Sequence, residues 1–303
     1  MSADPQRGMR RRQLLRGLAT APVVLSMPAR AGTRPLRIAS LDYGIASTLL
    51  SLGAVPAAVA DLADWGRWVV EPKMPDGVVD LGSALEVNVE VLTLLKPDLI
   101  VTTPYLDELL PVLERLGPVL RLSIYAPEAG PILDAAIKAT GVLARAIDRE
   151  ADAMRFLDET EAFFDRCKAR VNALSPPPLA FVNFMDTRHV RIYGNPGLFD
   201  NVLERIGIRN AWTEQSNFWG FQTIAIEELS RVKDRNARLA AFEPVPGDVL
   251  PTLSQSALWQ ALPFARPGHF TILKPALMFG MVNEARRFAD LVMAMLEDDH
   301  AKL

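Results

Sequence analysis

The sequence predicts an α/β protein of two lobes, each built on a mostly parallel sheet, joined by a single long helix. Three observations carry this. Short apolar runs alternate with helical stretches through residues 36–41, 45–52, 55–59, 88–95 and 99–102, the rhythm of strand–helix units that form parallel sheets. Residues 148–174 contain neither glycine nor proline and place Met154, Leu157, Phe164, Cys167, Val171 and Leu174 on one face at three-, four- and seven-residue steps. Residues 88–96 match residues 225–233, and each segment leads through a charged turn into an apolar strand, so the two halves share a pattern.

The N-terminus is set aside before the fold. Arg11-Arg12-Gln13-Leu14-Leu15, a weakly apolar run from Gly17 to Met27 and Ala29-Arg30-Ala31 form a basic region, a short apolar region and an A-x-A cleavage site. This is the pattern of a twin-arginine export signal over residues 1–31. The apolar run is far short of the ~20 residues of a spanning helix. Removal would leave an N-terminal lobe at 32–147, the linking helix at 148–174 and a C-terminal lobe at 175–303.

Each element has its own signal. Residues 36–41 read as a strand that runs into the loop at Asp42-Tyr43-Gly44, and residues 45–52 as a helix ended by Gly53. Residues 55–59 are a second strand, 61–75 a polar excursion bearing Trp65 and Trp68, and 78–82 a third strand or turn. Lys96-Pro97-Asp98 stops the helix of 88–95 and opens the apolar strand 99–102. Ser175-Pro176-Pro177-Pro178 ends the linking helix, ~40 Å long at 1.5 Å per residue, a rigid strut between lobes. Strands at 179–184, 190–193 and 239–242 and a helix at 198–206 follow.

Composition excludes several functions. A net charge of -3 lacks the basic face of a nucleic-acid binder. Cys167 is alone, so no internal disulfide forms. His189, His269 and His300 have no metal-ligand spacing among themselves or with Cys167. G-x-S-x-G, P-loop and G-x-G-x-x-G motifs are absent. No catalytic residues, no metal site and no resident cofactor are therefore assigned, and the chain is not read as an enzyme.

Aromatic residues beside turn residues remain. Asn217-Phe218-Trp219-Gly220, Tyr43, Trp65, Trp68, Tyr105 and Phe279 lie in loops of a chain with 7% aromatics. Core packing accounts for any one of them; as a set they predict an aromatic-walled pocket between the lobes.

Several segments resemble a known family. Arg37-Ile38-Ala39-Ser40-Leu41, Arg67-Trp68-Val69-Val70-Glu71-Pro72, Asn88-Val89-Glu90 with Leu95-Lys96-Pro97-Asp98, Asp186-Thr187-Arg188-His189, Asn210-Ala211-Trp212, Asn217-Phe218-Trp219-Gly220 and Leu258-Trp259-Gln260-Ala261-Leu262-Pro263-Phe264 are similar to segments of the periplasmic binding proteins of ABC importers for iron siderophores, vitamin B12 and haem, most closely the ferric-hydroxamate type. The resemblance implies the class III architecture, a shallow aromatic cleft and little closure on binding. It also implies that iron arrives coordinated by the siderophore's own oxygens, so the protein supplies no metal ligands. By position it assigns ligand contact to Tyr43, Trp68, Tyr105 and Trp219, with Phe279 near another contacting residue. Trp65 and Arg67 are added from their neighbourhood.

There is one departure. Where the resembled proteins present an arginine to the hydroxamate oxygens, this chain has Ala84. Losing a charge-assisted donor costs ~1.5–3 kcal/mol, unless Arg67, or Ser83 through a water, replaces it. Otherwise the ligand differs, as another hydroxamate, a mixed-type siderophore or a non-siderophore. The resemblance also implies that Glu90 and Glu227, at matching positions in the two halves, dock onto arginines of an ABC importer's inner-membrane permease. A carboxylate favoured by a helix N-terminus is the alternative account of both. The function implied is a monomeric periplasmic carrier of an iron(III) siderophore of hydroxamate type. A cobalamin or haem carrier, or a siderophore-modifying periplasmic enzyme, stays open.

Overall fold

The computed structural model describes residues 34–300; the twin-arginine segment lies outside these residues. Five parallel strands form the first sheet: β1 (Ile38–Ser40), β2 (Ala58–Val59), β3 (Val79–Asp80), β4 (Leu99–Thr102) and β5 (Val119–Arg121), in the order β3-β2-β1-β4-β5. The central strands are short apolar runs buried on both faces, as a helix-covered parallel sheet requires. Helix α1 (Tyr43–Ser51) starts where the Asp42 carboxylate accepts the Ile45 N–H at 2.9 Å. The one-turn α2 (Trp65–Trp68) lies in the polar excursion. Helix α3 (Val89–Leu95) starts in the same way as α1, with Asn88 accepting from Val91. A short α4 (Leu110–Leu113) follows β4.

Two long helices leave this lobe, α5 (Ile132–Ala146) and the linking helix α6 (Glu150–Leu174). The buried face of α6 is Ala153, Phe156, Thr160, Phe164, Cys167 and Val171. Met154, expected on that face, is 63% exposed, and Leu157 and Leu174 only pack against its edge. Nor is α6 a bare strut: it packs on α5, on α7 (Leu198–Ile206) and on the last helix, α10 (Val282–His300). Arg205 of α7 reaches Glu161 at 2.6 Å and Asp165 at 2.7 Å on α6.

The second sheet comprises β6 (Leu179–Phe184), β7 (His189–Tyr193), β8 (Phe221–Ala225), β9 (Arg238–Phe242) and β10 (Phe270–Leu273), ordered β10-β9-β6-β7-β8. Its β10-β9-β6 half is parallel, but β7 and β8 pair antiparallel. The halves are thus less alike than the matching segments predict. Residues 225–233 are not a second α3: β8 ends at Ala225 and a 3-10 turn covers Ile226–Arg231. Short helices α8 (Val249–Gln255) and α9 (Ala257–Ala261) cover the parallel half.

One apolar core runs through both sheets' helical sides, from Ile45, Leu49 and Val101 through α5 and α6 to Phe181, Phe199, Phe242 and Phe288. The Phe199 and Phe288 rings stack at 4.2 Å between centroids, and Phe181 meets Phe288 edge-on at 4.9 Å. Among the described residues no helix is long and apolar enough to cross a membrane.

Candidate functional site

The strand order of the first sheet reverses between β1 and β4, and in open α/β sheets ligands settle in the crevice beyond such a switch point. Tyr43 follows β1 and Tyr105 follows β4. They share one cavity with Ala60 and Asp61 beyond β2 and Tyr125 beyond β5. The second sheet supplies the opposite wall, also largely from strand ends: Asn183 to Met185 at the end of β6, Phe242 to Pro244 with Pro246 at and beyond the end of β9, and Pro275 to Phe279 after β10. The cavity, about 860 Å³, falls within the ~300–1,000 Å³ of small-molecule sites.

Of the predicted site residues, Tyr43, Arg67, Trp68, Tyr105, Trp219 and Phe279 line this cavity. Trp65 does not. It is 4% exposed, its Nε1 donates to the Pro72 carbonyl at 2.9 Å, and its ring meets Tyr43 edge-on at 5.6 Å. It braces the wall from behind, and the polar stretch around it hides the indole by folding over it. Phe218 is 40% exposed and packs on Trp219 outside the cavity.

Trp219 is aimed by its loop. The Asn217 side chain accepts from the Trp219 and Phe221 N–H groups at 3.0 and 3.3 Å, and Gly220 donates back to the Asn217 carbonyl at 2.8 Å. Gly220 has φ +83°, and a Cβ there would stand 2.0 Å from the Gly197 Cα, so only glycine permits this approach. The indole then stacks on Tyr125 (6.0 Å, 20°) and meets Tyr105 and Phe279 edge-on at 6.0 and 5.4 Å. Aromatics from both lobes thus meet at the cleft floor.

Sequence reasoning missed Tyr125 and Arg191. Tyr125 stands beyond β5 as Tyr105 stands beyond β4, and that position was the available signal. Arg191 lies in β7, where strand alternation separates it, with Tyr193, from Val190 and Ile192 on the other face. Its guanidinium carbon sits 4.5 Å from the Phe221 ring centroid and lines the cavity. Ala84 also lines the cavity, at the start of a 3-10 turn where Ser83 accepts from the Leu85 N–H at 3.2 Å. Ser83 itself is not on the wall. Arg67 is, with its guanidinium 4.7 Å from the Trp68 ring centroid.

Two acids sit at the base. Burial pushes the Asp42 carboxyl up to about 6, against the lowering effect of the Ile45 and Gly44 N–H groups. Behind it, Glu284 is 1% exposed and burial raises it to about 7. It accepts from the Ser47 hydroxyl at 2.6 Å and the Met281 N–H at 2.7 Å, joining α1 to the start of α10. Burial and the Asp61 carboxylate hold the Tyr43 phenol well above its ordinary range, and its hydroxyl donates to the Asp61 carbonyl. Among the described residues no group of three or more His, Cys, Asp or Glu side chains is placed to hold a metal.

A chain with two α/β lobes, a linking helix and a cleft at the strand ends has the architecture of a solute-binding protein. The model of the periplasmic binding protein family matches residues 38–277, and the chain belongs to that family. It is 31% identical over 280 residues to the iron(3+)-hydroxamate-binding protein FhuD of Escherichia coli (strain K12), covering 92% of this chain and 93% of that one. It is 28% identical over 222 residues to the achromobactin-binding periplasmic protein of Dickeya dadantii (strain 3937), covering 68% of this chain and 67% of that one. Among solved structures, the siderophore-binding protein FhuD from Vibrio cholerae, bound to Fe3+-Desferal, superposes with a TM-score of 0.80 at 26% identity, over 87% of this chain and 98% of that one.

Proposed function

We propose that this chain captures an iron(III) siderophore, of hydroxamate type, in the periplasm and delivers it to an ABC importer. The observation that carries the reading is the open cavity of about 860 Å³ walled by Tyr43, Trp68, Tyr105, Trp219 and Phe279, in a chain 31% identical to a hydroxamate-binding protein over most of its length. Aromatic faces contact the organic shell of a chelate, and a few donors reach its negatively polarised oxygens. The iron is cargo, coordinated by its siderophore. Export follows the twin-arginine signal of residues 1–31. Glu90 and Glu227 are exposed, one on each lobe, in the first turns of α3 and of the 3-10 turn at Ile226–Arg231, and in this reading they meet permease arginines. The carrier works as a monomer.

The test is tryptophan fluorescence during titration with ferrichrome, ferrioxamine B and a ferric catecholate, for wild type and Trp219→Ala. Saturable quenching by a hydroxamate, at least tenfold weaker in the variant, is the expected result. Quenching by a corrinoid or haem, with none by the ferric chelates, would replace the ligand. A changed chelate mass after incubation would make the protein an enzyme.

A further inference from the structure

Arg191 is a cavity-lining cation with little to hold it. Its Nε is sealed from solvent without a hydrogen-bond partner, and Nη1 has only the Met278 sulfur, at 3.9 Å. The aromatic face of Phe221 and the neighbouring Tyr193 hydroxyl are its other supports. Of the three carboxylates that share the cavity, Glu243 pairs with Lys274 at 3.0 Å, Asp42 caps α1, and Asp61 stands on the opposite wall beyond β2. The adjacent Asn183 is also engaged, since it accepts from the Tyr193 hydroxyl and donates to the Phe242 carbonyl at 3.3 Å. The Nε donor is left unmatched within the fold, and a buried polar donor without a partner is costly. On the facing wall, Ala84 offers no donor at all.

We infer that Arg191 is the anion-recognising residue of the cleft, placed on the C-terminal wall, and that it makes the protein prefer ferric hydroxamate chelates of net negative charge, such as citrate-based dihydroxamates carrying a free carboxylate, over neutral or cationic trihydroxamates. A planar guanidinium matches a carboxylate with two parallel N–H···O bonds, which a neutral ferric trihydroxamate cannot return in full. Arg67 does not compete for the role, because it is exposed and stands over Trp68 at the rim. The inference rests on the siderophore-carrier reading and narrows it to a charge class.

The experiment measures dissociation constants for wild type, Arg191→Met and Arg191→Lys with three ferric chelates: cationic ferrioxamine B, neutral ferrichrome and an anionic citrate-dihydroxamate, each at low and high salt. Met keeps the apolar stem, and circular dichroism checks the fold of both variants. Wild type is expected to bind the anionic chelate at least about tenfold more tightly than the cationic one, by an amount that shrinks with salt. Arg191→Met should lose at least about tenfold for the anionic chelate and stay within about threefold for the cationic one, with Arg191→Lys between. An equal loss for all three chelates, or none, would show that Arg191 only packs and would overturn the inference. So would a wild type that prefers the neutral or cationic chelate, although the carrier reading would then survive. A wild type that binds none of the three removes that reading and the inference with it.

Discussion

The Tyr125 hydroxyl, carried by the N-terminal lobe, lies 2.6 Å from the Met278 carbonyl oxygen and 2.8 Å from that of Gly280 beyond it. These carbonyls belong to the segment that presents Phe279, so one buried hydroxyl fixes a cleft-wall loop of the opposite lobe. Tyr125→Phe keeps the stack on Trp219 and strands two buried carbonyls. The expected cost is about 1–3 kcal/mol of unfolding free energy in urea, with a weaker hold on Phe279. A variant as stable as wild type would show that water takes the hydroxyl's place.

Trp65 and Trp68 are three residues apart and are expected to respond differently. Trp65→Phe retains a ring against Tyr43 and loses the bond to Pro72, so stability falls by about 1 kcal/mol and chelate affinity holds. Trp68→Phe, on the cavity wall, should weaken binding with little effect on melting. Equal losses of affinity would return Trp65 to the wall.

The close approach of Gly220 to Gly197 predicts that Gly220→Ala displaces the loop and the indole it carries. A Cβ 2.0 Å from a backbone carbon cannot be absorbed by a rotamer change. The strained φ alone costs about 1–2 kcal/mol. The measurement is the Trp219 emission maximum together with affinity; an unshifted spectrum would argue that the loop adapts.

Stability should fall as pH rises from 5 to 8. The Glu284 carboxyl goes from 4.5 to about 7 on folding, so the native state binds more protons than the unfolded chain in that window and stability is lost with rising pH, by at most about 1.4 kcal/mol per unit. Asp42, raised to about 6, acts in the same direction at the acid end of the range. Melting temperatures from pH 5 to 8 should show the decline in wild type and a shallower one in Glu284→Gln. Identical slopes would mean that the carboxylate is solvated.

Reversing charge at Glu90 and Glu227 separates carriage from delivery. Glu90→Arg and Glu227→Arg should leave chelate affinity unchanged and abolish uptake by vesicles bearing the importer. Full uptake by both variants would remove the docking assignment and leave an ordinary solvated helix start at each site.

What could be read from the sequence follows the strength of local signals. Leu99–Thr102, Leu179–Phe184 and Leu198–Ile206 appear with the predicted bounds, because each is an apolar run or amphipathic turn closed by proline, glycine or charge. Helix α5 went unread: half of its buried stripe is alanine (Ala135, Ala136, Ala139, Ala144), which contrasts weakly with its surroundings, and its start is capped from a distance by the Asn201 side chain accepting from Leu133 at 3.2 Å. Six of the seven proposed ligand residues line the cavity, five of them aromatics beside turn residues, a feature local enough to read, and the sixth Arg67 beside Trp68. Trp65 and Arg191 required knowing which way a side chain faces, and that depends on neighbours that only the folded lobe brings up: Tyr43 and Pro72 for Trp65, Phe221 and Met278 for Arg191. The antiparallel pairing of β7 with β8, which lies beyond α7, was hidden because strand runs do not state their partners.

The last helix has a consequence for how the chain is made. α10 begins at Val282, yet Glu284 bonds Ser47, the Asn283 amide reaches the Ser47 carbonyl at 2.9 Å and the Ser51 hydroxyl at 2.8 Å, and its apolar face completes the core beneath both sheets. Contacts spanning some 230 residues close the first lobe. During synthesis the first-made half therefore waits with part of its apolar surface uncovered until the ribosome has released the final turns. Stalling or trimming within the last twenty residues should leave the whole molecule, rather than one lobe, dependent on chaperones.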